Sequence, residues 1–109
     1  MFKLAKTITL DWPVRVSAPT NGGSVENHEF TGRFKILPNS EYQELMKTAK
    51  SDAEVIKQFL IGWEGLTDED GNALDFDPAI IDELCEYPFI RNAIFRAYSE
   101  ACAGAAVKN

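Results

Sequence analysis

The residues able to do chemistry in this chain are the acids of its second half, two cysteines and one histidine. The tightest group is Asp68-Glu69-Asp70-Gly71-Asn72. Calcium is the ion such a group would bind, because it takes oxygen ligands from a short loop that turns sharply at a glycine in the sixth position. With Gly71 in that position, Leu66 falls where the first ligand belongs and Asp77 where a bidentate glutamate belongs, so the register fails. The acids read instead as a solvated turn whose carboxylates cap nearby backbone N–H groups. Asp75, Asp77, Asp82 and Glu83 could be paired for acid–base hydrolysis, but acids at helix starts stabilise the helix dipole and need no other role. Cys85 and Cys102 are too few and too far apart for a zinc site, and on helical patterns they read as buried thiols. His28 has no partners that would make it a ligand or a base, and reads as a packed or turn-adjacent histidine. The chain has no Ser-His-Asp set, no glycine-rich phosphate loop and no His-Glu-x-x-His. The expectation is a protein that is not an enzyme and uses no metal and no cofactor.

Charge and composition narrow the partners. A net charge of -6 and a pI near 4.7 argue against nucleic acid, whose binding is driven by lysine and arginine displacing counterions. The mean hydropathy of -0.21 is ordinary for a globular protein, and no apolar run approaches the ~18 residues of a membrane span. The first residues, Met1-Phe-Lys-Leu-Ala-Lys6, lack the apolar core of an export signal, which makes the cytoplasm the expected compartment. At 109 residues the chain is long enough to bury a core as a single domain, 1–109, without staples.

The elements that must position these residues follow from periodicity. Over residues 2–16 the even positions are mostly apolar and the odd ones mostly polar, which predicts a strand with one buried face; Pro13 then requires a sheet edge or a bulge. Asn21-Gly22-Gly23 marks a turn, and the alternation of His28, Phe30, Gly32, Phe34 and Ile36 predicts a second strand. Residues 2–37 are thus a strand-rich antiparallel hairpin, whose apolar face needs helices to cover it. Residues 40–103 supply them. Ser40 with Gln43 predicts a capping box for a first helix, and Ser51 with Glu54 repeats the device for a second over about 52–63. Val55, Ile56, Phe59, Leu60 and Trp63 form the buried ladder of that second helix. Asp70-Gly71 predicts a tight turn, and Asp77-Pro78 starts a third helix over about 78–86. Pro88 opens a fourth, to about Ala103, with Gly104 as its stop and residues 104–109 as a fraying tail. The class is α+β: an N-terminal antiparallel β-hairpin packed on about four short helices.

Aromatic residues make up 11% of the chain. Trp63, Phe76, Phe89 and Phe95 fall at element ends or off the apolar stripes, where core packing is the plain reading. As a group they are also the candidates for a partner-binding surface, since exposed apolar patches on small proteins mark partner sites. Self-association into a homo-oligomer is compatible with the same feature.

The order Gly62-Trp63-Glu64-Gly65-Leu66, Asp68-Glu69-Asp70-Gly71-Asn72, Phe76, a helix over 80–85, Tyr87-Pro88, Arg91-Asn92-Ala93-Ile94 and Ala97-Tyr98 resembles the small tail assembly chaperones of long-tailed bacteriophages. The resemblance implies a non-enzymatic assembly factor that coats the tape measure protein and helps recruit the tail tube protein. It also implies a protein made in the host bacterial cytoplasm and absent from the mature virion. The other reading in keeping with the sequence is a structural tail component, a tube or terminator-like subunit whose hairpin pairs edge to edge with its neighbours. Such chaperones are often made in two lengths by a backward ribosomal slip. Val107-Lys108-Asn109 can be encoded GUA-AAA-AAC, which contains the slippery heptamer A-AAA-AAC, so the resemblance implies that this chain is the shorter product.

Overall fold

In the computed structural model, which describes residues 1–104, the chain runs β1 (Ile8–Pro19), β2 (Val25–Ile36), α1 (Asn39–Thr48), α2 (Asp52–Phe59), β3 (Leu60–Glu64), α3 (Pro78–Cys85) and α4 (Pro88–Ala103). The three strands form one antiparallel sheet in the order β1-β2-β3. The fold is α+β, with the expected hairpin and four helices, and gains a third strand. The expected fraying of residues 105–109 and the slip-site residues 107–109 lie outside the described residues.

The hairpin forms where it was expected. Val14, Val16, Phe30 and Phe34 point to one face and are buried, while Asp11, Arg15, Glu29 and Arg33 lie on the other. That outer face carries the pairs Arg15–Glu29 at 3.2 Å and Arg33–Asp11 at 3.3 Å. Gly22 and Gly23 take φ of 84° and 81° in the connecting turn, the left-handed region open to glycine, and Thr20 N–H donates to Ser24 O at 2.9 Å to close it. β1 is an edge strand, which is why Pro13 is tolerated inside it.

β1 begins at Ile8 and not near Phe2. Ile8 pairs with Ile36, the last residue of β2; just beyond, Leu37 N–H donates to the Tyr98 hydroxyl at 3.1 Å and Pro38 leads the chain into α1. Residues 2–7 have no strand left to join. Phe2 and Leu4, which the alternation placed on a buried face, are 85% and 86% exposed.

The largest correction falls on the ladder of α2. The helix stops at Phe59, and Leu60–Glu64 form β3 on the open edge of β2. Phe34 faces Leu60 and Arg33 faces Gly62, so Ile61 is an extra residue, a β-bulge. A regular strand would put Leu60 and Trp63 on opposite faces. The bulge returns both to the core face, where they are 0% and 9% exposed. Two buried residues three apart is also the spacing of a helix face, and that coincidence produced the helical expectation for residues 60–63.

The helices cover one face of the sheet, α4 over β1 and β2, and α2 over β2 and β3. Ser51 caps α2 as expected: its hydroxyl accepts from Glu54 N–H at 3.2 Å, and the Glu54 carboxylate accepts from Lys50 N–H at 2.8 Å. Asp77 likewise accepts from Ala79 N–H at 2.9 Å ahead of Pro78. The Ser40–Gln43 box does not form, because α1 starts two residues earlier with Pro38 as its N-cap, and Pro38 has no side-chain acceptor. Gly104 ends α4 at φ 65°. Phe34, Phe59, Ile56, Leu60, Ile81, Ile94 and Val14 are the fully buried centre of the core. Tyr98 stacks on Phe59 with ring centroids 4.0 Å apart.

Candidate partner-binding surface

The four singled-out aromatics arise from different elements and occupy different places. Trp63, on β3, is held by an indole N–H donated to Leu74 O at 2.9 Å and by the ring of Phe76, edge-on at 4.6 Å. Phe76 is half-buried and lies against the core through this contact. Phe95, half-buried on α4, meets Phe59 edge-on at 5.8 Å. Phe89, at the start of α4, sits 6.2 Å from Tyr87, which is 55% exposed. The structure brings Trp63 and Phe76 together and places Phe89 and Phe95 apart from them.

Phe89 lines a cleft of about 310 Å3 with Val16, Phe30, Leu66, Leu84 and Ile90. A second groove, of about 500 Å3, runs between the end of β2 and the end of α4 and is lined by Leu37, Tyr42, Tyr98 and Cys102 among others. Periodicity alone could not have found either, since both are made where separate elements meet.

Residues 58–90 contain no lysine or arginine, yet carry nine carboxylates, from Glu64 through Asp68, Glu69, Asp70, Asp75, Asp77, Asp82 and Glu83 to Glu86. This segment comprises β3, the loop after it and α3, so one part of the molecule is strongly anionic. The signal is visible in the sequence as a charge block. Within it, Thr67 bridges Ala73, Gly71 turns at φ 83°, and the Asp68 carboxylate accepts from Asp70 N–H and Asn72 N–H at 2.9 Å each. The expected tight turn and the capping use of its acids are therefore both observed. Asp82 pairs with Lys57 at 2.8 Å, an exposed pair of small energetic weight. Among the described residues, no group of three or more His, Cys, Asp or Glu converges as a metal-ligand set.

Of the two expected places for His28, packed or turn-adjacent, the structure shows the second: its ring lies 2.9 Å from the Glu26 carboxylate, in solvent near the hairpin turn. A strand of 12 residues spans ~40 Å whereas the 16 residues of α4 span ~24 Å, so the tip of the hairpin outruns its cover. The thiols, expected to be buried, are not fully so. Cys85 is half-buried, with burial pushing its pKa up to about 11, and Cys102 is exposed in the last turn of α4. Burial also raises the Tyr98 and Tyr42 phenols above their ordinary values.

The family profile described as phage tail assembly chaperone matches residues 1–109, the whole chain. This protein belongs to that family. No curated protein and no solved structure gives a significant match.

Proposed function

We propose that this chain is a non-enzymatic assembly factor that acts in the host bacterial cytoplasm, binds the tape measure protein, assists tail tube assembly and is left out of the mature virion. The observation that carries the reading is membership, over its whole length, of the tail assembly chaperone family. Its physical form suits the task. A coat for an aggregation-prone partner needs apolar contact area and an anionic outer surface for solubility, and this molecule has half-buried aromatics beside an anionic segment free of lysine and arginine. The apolar contacts we assign are Phe76, backed by Trp63, and Phe95; the cleft that Phe89 lines is a separate surface.

Co-expression with the tape measure protein tests the reading. A tape measure protein that is insoluble alone should become soluble and co-purify with the chain, and Phe76→Ala with Phe95→Ala should weaken that recovery. Mass spectrometry of purified virions beside infected-cell lysate should find the chain in the lysate only. Stoichiometric chain in the virion would overturn the reading in favour of a structural tail subunit.

A further inference from the structure

One end of the molecule carries two apolar features without a function. The first is the groove of about 500 Å3 between the end of β2 and the end of α4, lined by Ile36, Leu37, Tyr42, Tyr98 and Cys102 among others. The second is the arm of residues 1–7, which joins no element and leaves Phe2 and Leu4 85% and 86% exposed. The two lie side by side. Ile8, at the root of the arm, pairs with Ile36 of the groove's wall, so root and wall stand one strand spacing, ~5 Å, apart. Between arm and strand the chain bends, at Lys6 and Thr7. Beyond that bend an extended arm carries Phe2 and Leu4 on one side and Lys3 on the other.

We propose that the arm is a strap: swinging about the bend at Lys6 and Thr7, it seats Phe2 and Leu4 in the groove of its own chain, and the exposed arm of the structure is its open position. Reach permits this. Leu4 extends up to ~14 Å from Ile8 and Phe2 up to ~22 Å, several times the distance from Ile8 to the groove's nearest wall. No strand competes for the arm, because β2 ends at Ile36 and Pro38 leads the chain into α1. Closing removes two apolar side chains and an apolar groove from water together, while Lys3 keeps its charge in solvent. The chain's own arm also has the advantage of its tether: held at the edge of the groove, it acts at an effective concentration of about a millimolar, which a second copy must match from solution. The closed strap hides Phe2, Leu4 and Cys102, and the open strap presents them as one apolar surface. A partner that binds the arm or the groove has to find the strap open, so the strap sets the fraction of molecules competent for that contact. This inference stands independently of the tape measure reading.

Cys102 is a built-in reporter, because it lines the groove, whereas Cys85 lines a different crevice with Ser51 and Asp52. Alkylation of the full chain with iodoacetamide, followed at each cysteine by peptide mass spectrometry, is the test. Phe2→Ser with Leu4→Ser should speed modification of Cys102 about tenfold, the factor set by a strap closed about nine-tenths of the time, and leave the rate at Cys85 unchanged. Lys3→Ser, on the side of the arm that faces water, should leave both rates as they are. The wild-type rate at Cys102 should not vary over a concentration series, since strap and groove belong to one molecule. Equal Cys102 rates in the wild type and the Phe2, Leu4 variant would overturn the proposal, and so would a rate that rises at both cysteines, which would make the arm a prop of the whole fold. Protection that deepens with protein concentration would overturn it by placing the arm of a second copy in the groove. Protection kept in the arm variant but lost on deleting residues 105–109 would overturn it by assigning the groove to the C-terminal segment.

Discussion

Trp63 shows how a single side chain joins three parts of the molecule. It sits on β3 opposite Gly32, donates its indole N–H to Leu74 O and takes the edge of Phe76. Gly32 leaves room for its neighbours Phe34 and Leu60: a Cβ there would come within 2.8 Å of the Phe34 ring and 3.2 Å of Leu60. Because the indole is 9% exposed and its removal leaves a cavity, Trp63→Ala should cost about 3–5 kcal/mol. Urea denaturation checks this. A midpoint unchanged within error would mean that Trp63 contributes to a surface and not to the core.

At the scale of the element, the bulge in β3 makes a prediction that separates strand from helix. Deleting Ile61 would leave Leu60, Gly62 and Trp63 facing Phe34, Arg33 and Gly32 in an unbroken antiparallel ladder, with Leu60 and Trp63 still inward. The deletion should therefore cost under about 2 kcal/mol, less than Trp63→Ala, and leave unfolding cooperative. Were this segment a continuation of α2, the same deletion would swing Trp63 by about 100° off the core face and cost as much as losing its ring. Denaturation of the two variants side by side decides between them.

Three weakly ionising groups, Tyr98, Tyr42 and Cys85, lie in the core between sheet and helices or packed against it. Burial keeps the Tyr98 and Tyr42 phenols neutral above their ordinary value of 10.0, and moves Cys85 from 9.0 to about 11. The unfolded chain releases these protons at the ordinary values, so above them it binds fewer protons than the folded chain and stability falls as pH rises. The contribution is fully present below pH 9, declines from 9 to about 11 as Cys85 is drawn out, and declines further above 10 through the tyrosines. Urea midpoints at pH 8 and pH 11 should show the loss. Tyr98→Phe removes one titrating group and should make the decline shallower. A midpoint equal at both pH values would refute the assignment.

Much of this fold was legible locally. The alternation of Val14, Val16, Phe30 and Phe34, the Gly22-Gly23 turn, the Ser51 and Asp77 caps and the Gly104 stop are each written in a few adjacent residues, because backbone preference and side-chain capping act over that range. The phage family was legible too, in the order of residues from Gly62 to Tyr98. What the sequence did not determine was which partner each segment would find. The stretch 60–63 satisfies a helix face and a bulged strand equally, and only the open edge of β2 selects the strand. Residues 2–7 carry a strand pattern but end in solvent, because β2 stops at Ile36 and Pro38 turns the chain into α1, leaving them no strand to pair with. His28 and Cys102 are exposed because the hairpin outruns the helices and the α4 stripe runs off the core, lengths that no local window measures. The candidate surface was least legible of all. Apolar contact is non-directional and leaves no spacing rule in the chain, so a cleft between Phe30, Leu66, Leu84 and Phe89 exists only once four separate segments have been packed.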